Sequence, residues 1–135
     1  MNHPTPANGS PTAVDVVREF WRLMATNDFP AVGAVLADDY ELDWPQSKER
    51  IRGRDRFVRM NAEYPAHGRW RFTVNRLFGN GAEVVSDVSV TDGVQNGRAL
   101  SFFTVADGKI VRQVEFWPEP YEAAANRRHL VEIVE

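Results

Sequence analysis

The sequence predicts an α+β domain in which N-terminal helices gather on one face of an antiparallel sheet. Three observations carry that prediction. Apolar residues near the N-terminus recur at spacings of three and four, the helical period. From Asp39 the period falls to two, the signature of a strand with one apolar face. The second half of the chain is divided by Gly79-Asn80-Gly81, Asp92-Gly93 and Asp107-Gly108, which favour tight hairpin turns.

Met1 to Pro11 holds three prolines with Gly9 and Ser10 and reads as a flexible leader. Thr12 and Asp15 form a capping-box pair, followed by the stripe Val14, Val17, Trp21 and Met24. Asn27 and Asp28 stop that helix, and Phe29, Val32 and Leu36 face one side of a second, with Pro30 in its first turn. Tyr40, Leu42 and Trp44 alternate with Glu41 and Asp43 in a strand ended by Pro45. Gly53 opens a third helix carrying Phe57 and Met60, closed by Pro65. Four strands follow: Trp70 to about Gly79, Glu83 to Thr91, Leu100 to Val105 and Ile110 to Trp117. The domain therefore spans residues 12–121, with a tail over 122–135 that forms a short helix between Glu122 and Val134.

The composition sets limits on function. A chain of 135 residues, 43% apolar and 26% charged, has the balance of one globular domain. No apolar run approaches the ~20 residues of a membrane span, and no basic stretch precedes an apolar one at the N-terminus as a secretory signal would require. These features predict a cytoplasmic protein without membrane contact. The net charge of −3 argues against a nucleic-acid partner. The cluster Arg50, Arg52, Arg54, Arg56 and Arg59 is interrupted by Asp55 and reads as a solvated helix start. The chain has no cysteine, and His3, His67 and His129 are dispersed, so no metal site is expected. No phosphate-binding glycine loop or Gly-x-Ser-x-Gly elbow occurs, and no cofactor is expected. On the last strand, Val111 and Trp117 share one face while Ile110, Val114 and Phe116 share the other. A sheet apolar on both sides needs cover on both, so one face should pack on the helices and the other on a second copy of the chain.

The element order, together with Ala37-Asp38-Asp39-Tyr40, Trp44-Pro45-Gln46-Ser47, Ile51-Arg52-Gly53-Arg54, Ser101-Phe102-Phe103, Asp107-Gly108-Lys109-Ile110 and Glu115-Phe116-Trp117, resembles the SnoaL-like branch of the nuclear transport factor 2-like superfamily from Thr12 to Trp117. The resemblance implies a curved antiparallel sheet forming a cone, N-terminal helices on its concave face, an apolar cavity between them and dimerisation through the sheet. It spans isomerases, cyclases, epoxide hydrolases, dehydratases and non-catalytic binders, so the fold alone selects none of them. Where ketosteroid isomerases need a tyrosine, an aspartic acid and an aspartate base, this chain carries Phe20, Ser101 and Trp44. A phenyl ring donates no hydrogen bond and an indole abstracts no proton near neutral pH, which argues against that reaction.

Glu115 is the first candidate for catalysis. It shares a strand face with Gln113 and Trp117, and the resemblance places that face toward the cavity, where desolvation raises a carboxyl pKa toward the range of proton transfer. Asp87 is its candidate partner, because an aspartate is disfavoured in mid-strand. The alternation of Val84, Val88 and Val90 places Asp87 on whichever face they do not occupy. Ser101 and Gln113 are candidates to orient a ligand. Trp44, Trp117, Tyr40, Trp21, Phe20 and Phe57 are candidates for an aromatic lining suited to a small hydrophobic or aromatic ligand. Two functions fit these residues: a cofactor-free acid/base enzyme of the isomerase, cyclase, hydrolase or dehydratase type, and a non-catalytic ligand-binding or dimerisation module.

Overall fold

The computed structural model describes residues 11–134; most of the expected leader, Met1 to Ser10, lies outside the described residues. Helix α1 (Ala13–Ala25) begins with the expected capping box. The Thr12 hydroxyl accepts from the Asp15 N–H and the Asp15 carboxylate accepts from the Thr12 N–H, satisfying two amides that the first helical turn leaves open. Of the predicted stripe, Val17, Trp21 and Met24 are buried and Val14 is half-buried, and Val16 and Phe20 join them in the core.

The second helix is shorter than the spacing predicts. One turn, α2 (Phe29–Val32), passes into a 3-10 turn (Gly33–Val35), and Leu36 already belongs to strand β1 (Leu36–Trp44). Leu36 keeps its core position while changing element, and is fully buried. The arginine-rich stretch differs more. Glu49–Arg52 is a short strand, β2, paired antiparallel with the end of β1, and only Arg54, Arg56 and Arg59 enter helix α3 (Arg54–Glu63). On this edge, Arg50 and Arg52 reach Asp43 and Glu41 of β1, and cross-strand charge pairs compensate for weak strand propensity. Gly53 makes the turn between β2 and α3 at φ 88°, a conformation costly for any residue with a Cβ.

Four long strands complete the sheet: β3 (Arg71–Asn80), β4 (Glu83–Thr91), β5 (Asn96–Ala106) and β6 (Lys109–Phe116). Their order is β2-β1-β6-β5-β4-β3, with β1 and β6 parallel and every other pair antiparallel. The tail forms only a 3-10 segment, Ala125–Leu130, with no buried residue.

The register determines what meets inside. Leu77, Ser86, Ser101 and Glu115 lie side by side across four strands, and so do Val84, Phe103, Gln113 and Leu42 in the neighbouring row. Both rows face the helices. The opposite face carries Phe78, Val85, Phe102 and Val114 in one row and Arg76, Asp87, Leu100 and Phe116 in the next. One assignment changes: Ile110, expected beside Val114 and Phe116, is fully buried in the core. The ladder slips between Thr104 and Val105 on one side and between Leu36 and Glu41 on the other, and such irregularities rotate the first residues of β6 toward the opposite face.

Candidate functional site

The helices cover only part of the inner face. The remainder borders a cavity of about 800 Å³ between α1, α3 and strands β1, β4, β5 and β6. Phe20, Trp21 and Met24 of α1, Phe57 and Met60 of α3, and Trp44, Phe72 and Trp117 supply an apolar and aromatic wall. The exposed lining residues Ser47, Glu49, Tyr64, Asn96 and Glu119 mark the open end.

Glu115 is the buried carboxylate of this cavity. It is 6% exposed and accepts four hydrogen bonds. The indole N–H groups of Trp44 and Trp117 both reach Oε1, at 3.0 and 3.1 Å. The Ser101 hydroxyl and the Gln113 amide both reach Oε2, at 2.8 and 2.9 Å. Each partner follows from the backbone. Ser101 stands directly across the β5–β6 ladder. Gln113 lies two residues earlier on the same strand face, and Trp44 ends β1 beside β6. Burial pushes the Glu115 carboxyl up from its ordinary range, and the bonds from Trp44, Ser101, Trp117 and Gln113 pull it partly back.

The next layer holds these groups in place. The Tyr40 hydroxyl donates to Gln113 Oε1 at 2.6 Å, which turns the amide nitrogen of Gln113 toward Glu115. Burial, and then the Glu115 charge, push the Tyr40 phenol up, so it stays a donor. Trp117 is positioned twice: its backbone N–H donates to Gln46 Oε1 at 2.6 Å, and its backbone carbonyl accepts from Gln46 Nε2 at 3.2 Å. Its ring rests on Gly97, where a Cβ would come within 3.1 Å of the indole. Trp70 is held by Asn27, which takes φ 62° at the end of α1 and exchanges two 2.8 Å bonds with the Trp70 backbone. Asp92 ties the loop after α3 to the β4–β5 turn, accepting from the N–H groups of His67, Val94 and Gln95. Burial acts to raise its pKa, but these amide bonds and the Gln95 side chain hold it far below the usual carboxylate range.

Six of the sequence-predicted side chains border the cavity together with Glu115: Trp44, Gln113, Trp117, Trp21, Phe20 and Phe57. Tyr40 and Ser101 stand behind that wall, each fully buried and acting through Gln113 and Glu115. Asp87 is corrected outright. Val84, Ser86, Val88 and Val90 take the inner face, so Asp87 points to the other side of the sheet. There it pairs with the Arg98 guanidinium and, at 3.2 Å, with Arg76. The bonds from Arg98 lower its pKa to about 2, and it forms no dyad with Glu115. The sequence reading missed Asn61, Tyr64 and Gln95, whose signal is their place in loops and a helix end brought together only by the tertiary fold. Among the described residues no group of three or more His, Cys, Asp or Glu is arranged to hold a metal ion. No helix is long and apolar enough to cross a membrane.

A curved six-stranded sheet with N-terminal helices on one face, enclosing a pocket between the two layers, defines the nuclear transport factor 2-like class. Within that class the family model for the SnoaL-like domain matches residues 17–113, and the chain belongs to that family. A structure from Kribbella flavida DSM 17836, provisionally assigned as a ketosteroid isomerase, is 36% identical at TM-score 0.83, over 91% of this chain and 90% of that one. A nuclear transport factor 2-like protein of unknown function from Burkholderia xenovorans LB400 is 26% identical at TM-score 0.72, over 91% and 96%. An epoxide hydrolase of M. tuberculosis shares the fold at 23% identity and TM-score 0.65, over 78% and 82%. No curated protein matches the chain at a significant level.

Proposed function

We propose that this protein encloses a small hydrophobic or aromatic molecule and performs cofactor-free proton transfer on it, with Glu115 as the acid/base group. The observation that carries the reading is a buried carboxyl of raised pKa bordering an aromatic cavity. Ser101 is the one Glu115 partner that both donates and accepts; the indoles and the Gln113 amide nitrogen only donate. When Oε2 is protonated it can instead donate a hydrogen bond to the Ser101 hydroxyl, whose own hydrogen rotates away, which lets the carboxyl exist in both states. With Asp87 on the far face, the chemistry rests on a single carboxyl. That suits isomerisation or cyclisation by successive proton removal and return at one group. The provisional isomerase assignment of the Kribbella relative does not extend to ketosteroid chemistry here, because Phe20, Ser101 and Trp44 supply neither the paired donors nor the base.

The test is deuterium uptake from D2O at the α-carbons of cyclic ketones such as indanone and tetralone, followed by proton NMR. The protein is expected to accelerate exchange by about 100-fold or more, the usual scale of acid/base catalysis, and Glu115→Gln to return it to the buffer rate. Saturable binding without acceleration, across ketones and cyclic epoxides alike, would instead establish the second reading, a ligand-binding protein without catalysis. That reading is favoured by the engagement of both Glu115 oxygens with two donors each. In both readings the outer sheet face, with Phe78 and Phe102 exposed, joins a second copy of the chain.

A further inference from the structure

Among the described residues the charge of Glu115 has no counter-charge. Its four partners are two indoles, a hydroxyl and an amide, and among the described residues every ion pair involves other carboxylates. The shell is nonetheless built for an anion. Oε1 faces two groups that can only donate, and Oε2 faces an amide nitrogen whose orientation Tyr40 fixes. A buried anion lacking a partner of opposite sign is expensive, and here the space beside it is a cavity rather than an arginine.

The rest of the lining has the same bias. Glu49 and Glu119 stand at its open end, and the guanidinium of Arg98, the one basic residue lining it among the described residues, is turned to Asp87. Trp21, Trp44, Trp70, Trp117 and Phe72 provide π surfaces, which attract cations more strongly once water is excluded. From these observations we infer that the cavity selects a hydrophobic organic cation, an amine or quaternary ammonium, over neutral molecules of the same shape, and rejects carboxylates. This rests on the reading of the cavity as a ligand site and names the class of ligand it takes. Glu115 already accepts four hydrogen bonds, so a cation needs no N–H of its own to be held by that charge and the ring faces. A quaternary ammonium should therefore bind as well as a primary one.

The test uses four probes on one adamantane frame: the aminomethyl, trimethylammonium, hydroxymethyl and carboxylate derivatives, titrated by calorimetry at neutral pH. Both cations are expected to bind at least about tenfold more tightly than the alcohol, with the carboxylate weakest. Glu115→Gln should abolish the preference, with circular dichroism reporting that the variant is folded. Replacing Glu49 and Glu119 together by glutamine should leave the preference standing. Equal affinity for alcohol and amines on the unaltered protein overturns the inference alone. A preference that follows Glu49 and Glu119 rather than Glu115 overturns it too. Failure of all four probes to bind overturns the ligand-site reading on which it rests.

Discussion

Glu115 takes two indole N–H groups on one oxygen and a hydroxyl and an amide on the other, so its proton equilibrium is a contest between burial and four donors. Burial wins in direction: the folded carboxyl holds its proton above the ordinary 4.5. The sign of the linkage follows. With the folded pKa above the unfolded one, the stability tied to this group is intact below the unfolded value and is lost as pH rises through the folded value. Ser101→Ala removes a donor that favours the ionised form, so it should raise the Glu115 pKa further and lower stability by about 1–2 kcal/mol. A pH titration of tryptophan fluorescence reads the first effect, since Trp44 and Trp117 donate to the titrating oxygen. An unchanged midpoint would show that Ser101 serves the ionised and protonated carboxyl alike, and a lowered one that it favours the protonated form. At this scale the period-two alternation of β6 was enough to place Glu115, Gln113 and Trp117 on one face. The roles of Tyr40 and Ser101 were not visible, because standing behind a cavity wall rather than in it depends on side-chain reach across three strands. For Asp87, alternation left two faces, and only the packing of Val84 and Val88 on the helices chose between them.

At the scale of elements, the hairpins of the second half were legible because each turn carries its own glycine. Strand β2 was not: four residues, Glu49–Arg52, have no apolar alternation to show, and they pair because β1 presents Asp43 and Glu41 to their arginines. The corner after α1 was legible as a stop but not as a clamp. Asn27 was readable as a helix terminator, and its second task, holding the Trp70 backbone through both amide atoms, joins residues 43 apart in sequence. That clamp positions one aromatic wall of the cavity. Asn27→Ala loses both bonds and leaves a Cβ residue at positive φ, where Asn is better tolerated than Ala. The expected cost is about 2 kcal/mol in chemical denaturation, with weaker binding of the hydroxymethyl probe and no change in its ranking against the amines. Asn27→Gly relieves the backbone conformation but not the lost bonds. It should therefore recover part of the stability and none of the binding, a split that separates the clamp from the turn.

At the scale of the whole molecule, one face of the sheet is left uncovered by the described residues. Opposite the helices, Val85, Phe102 and Val114 form a row across β4, β5 and β6 that ends at Phe78. Phe102 stacks edge-on against Phe116 with ring centroids 6.1 Å apart. Phe78 and Phe102 are 62% and 47% exposed. Charged groups stand on both sides of this apolar strip, Asp43 with Arg50 and Arg112 on one flank and Asp87 with Arg98 and Arg76 on the other. An apolar centre within a polar rim is the layout of an interface core. Turning a second copy by half a revolution brings the same strip against itself, as a two-fold interface requires. Sedimentation equilibrium at micromolar concentration should therefore give twice the chain mass of 15.3 kDa. Phe102→Arg puts a like charge on both sides of the two-fold contact and should yield monomer. Because that position lies on the far side of the sheet from Glu115, the monomer should still bind the hydroxymethyl probe. A wild-type monomer at those concentrations would leave the apolar strip without the partner argued for it. A Phe102→Arg dimer would place the contact elsewhere on the molecule.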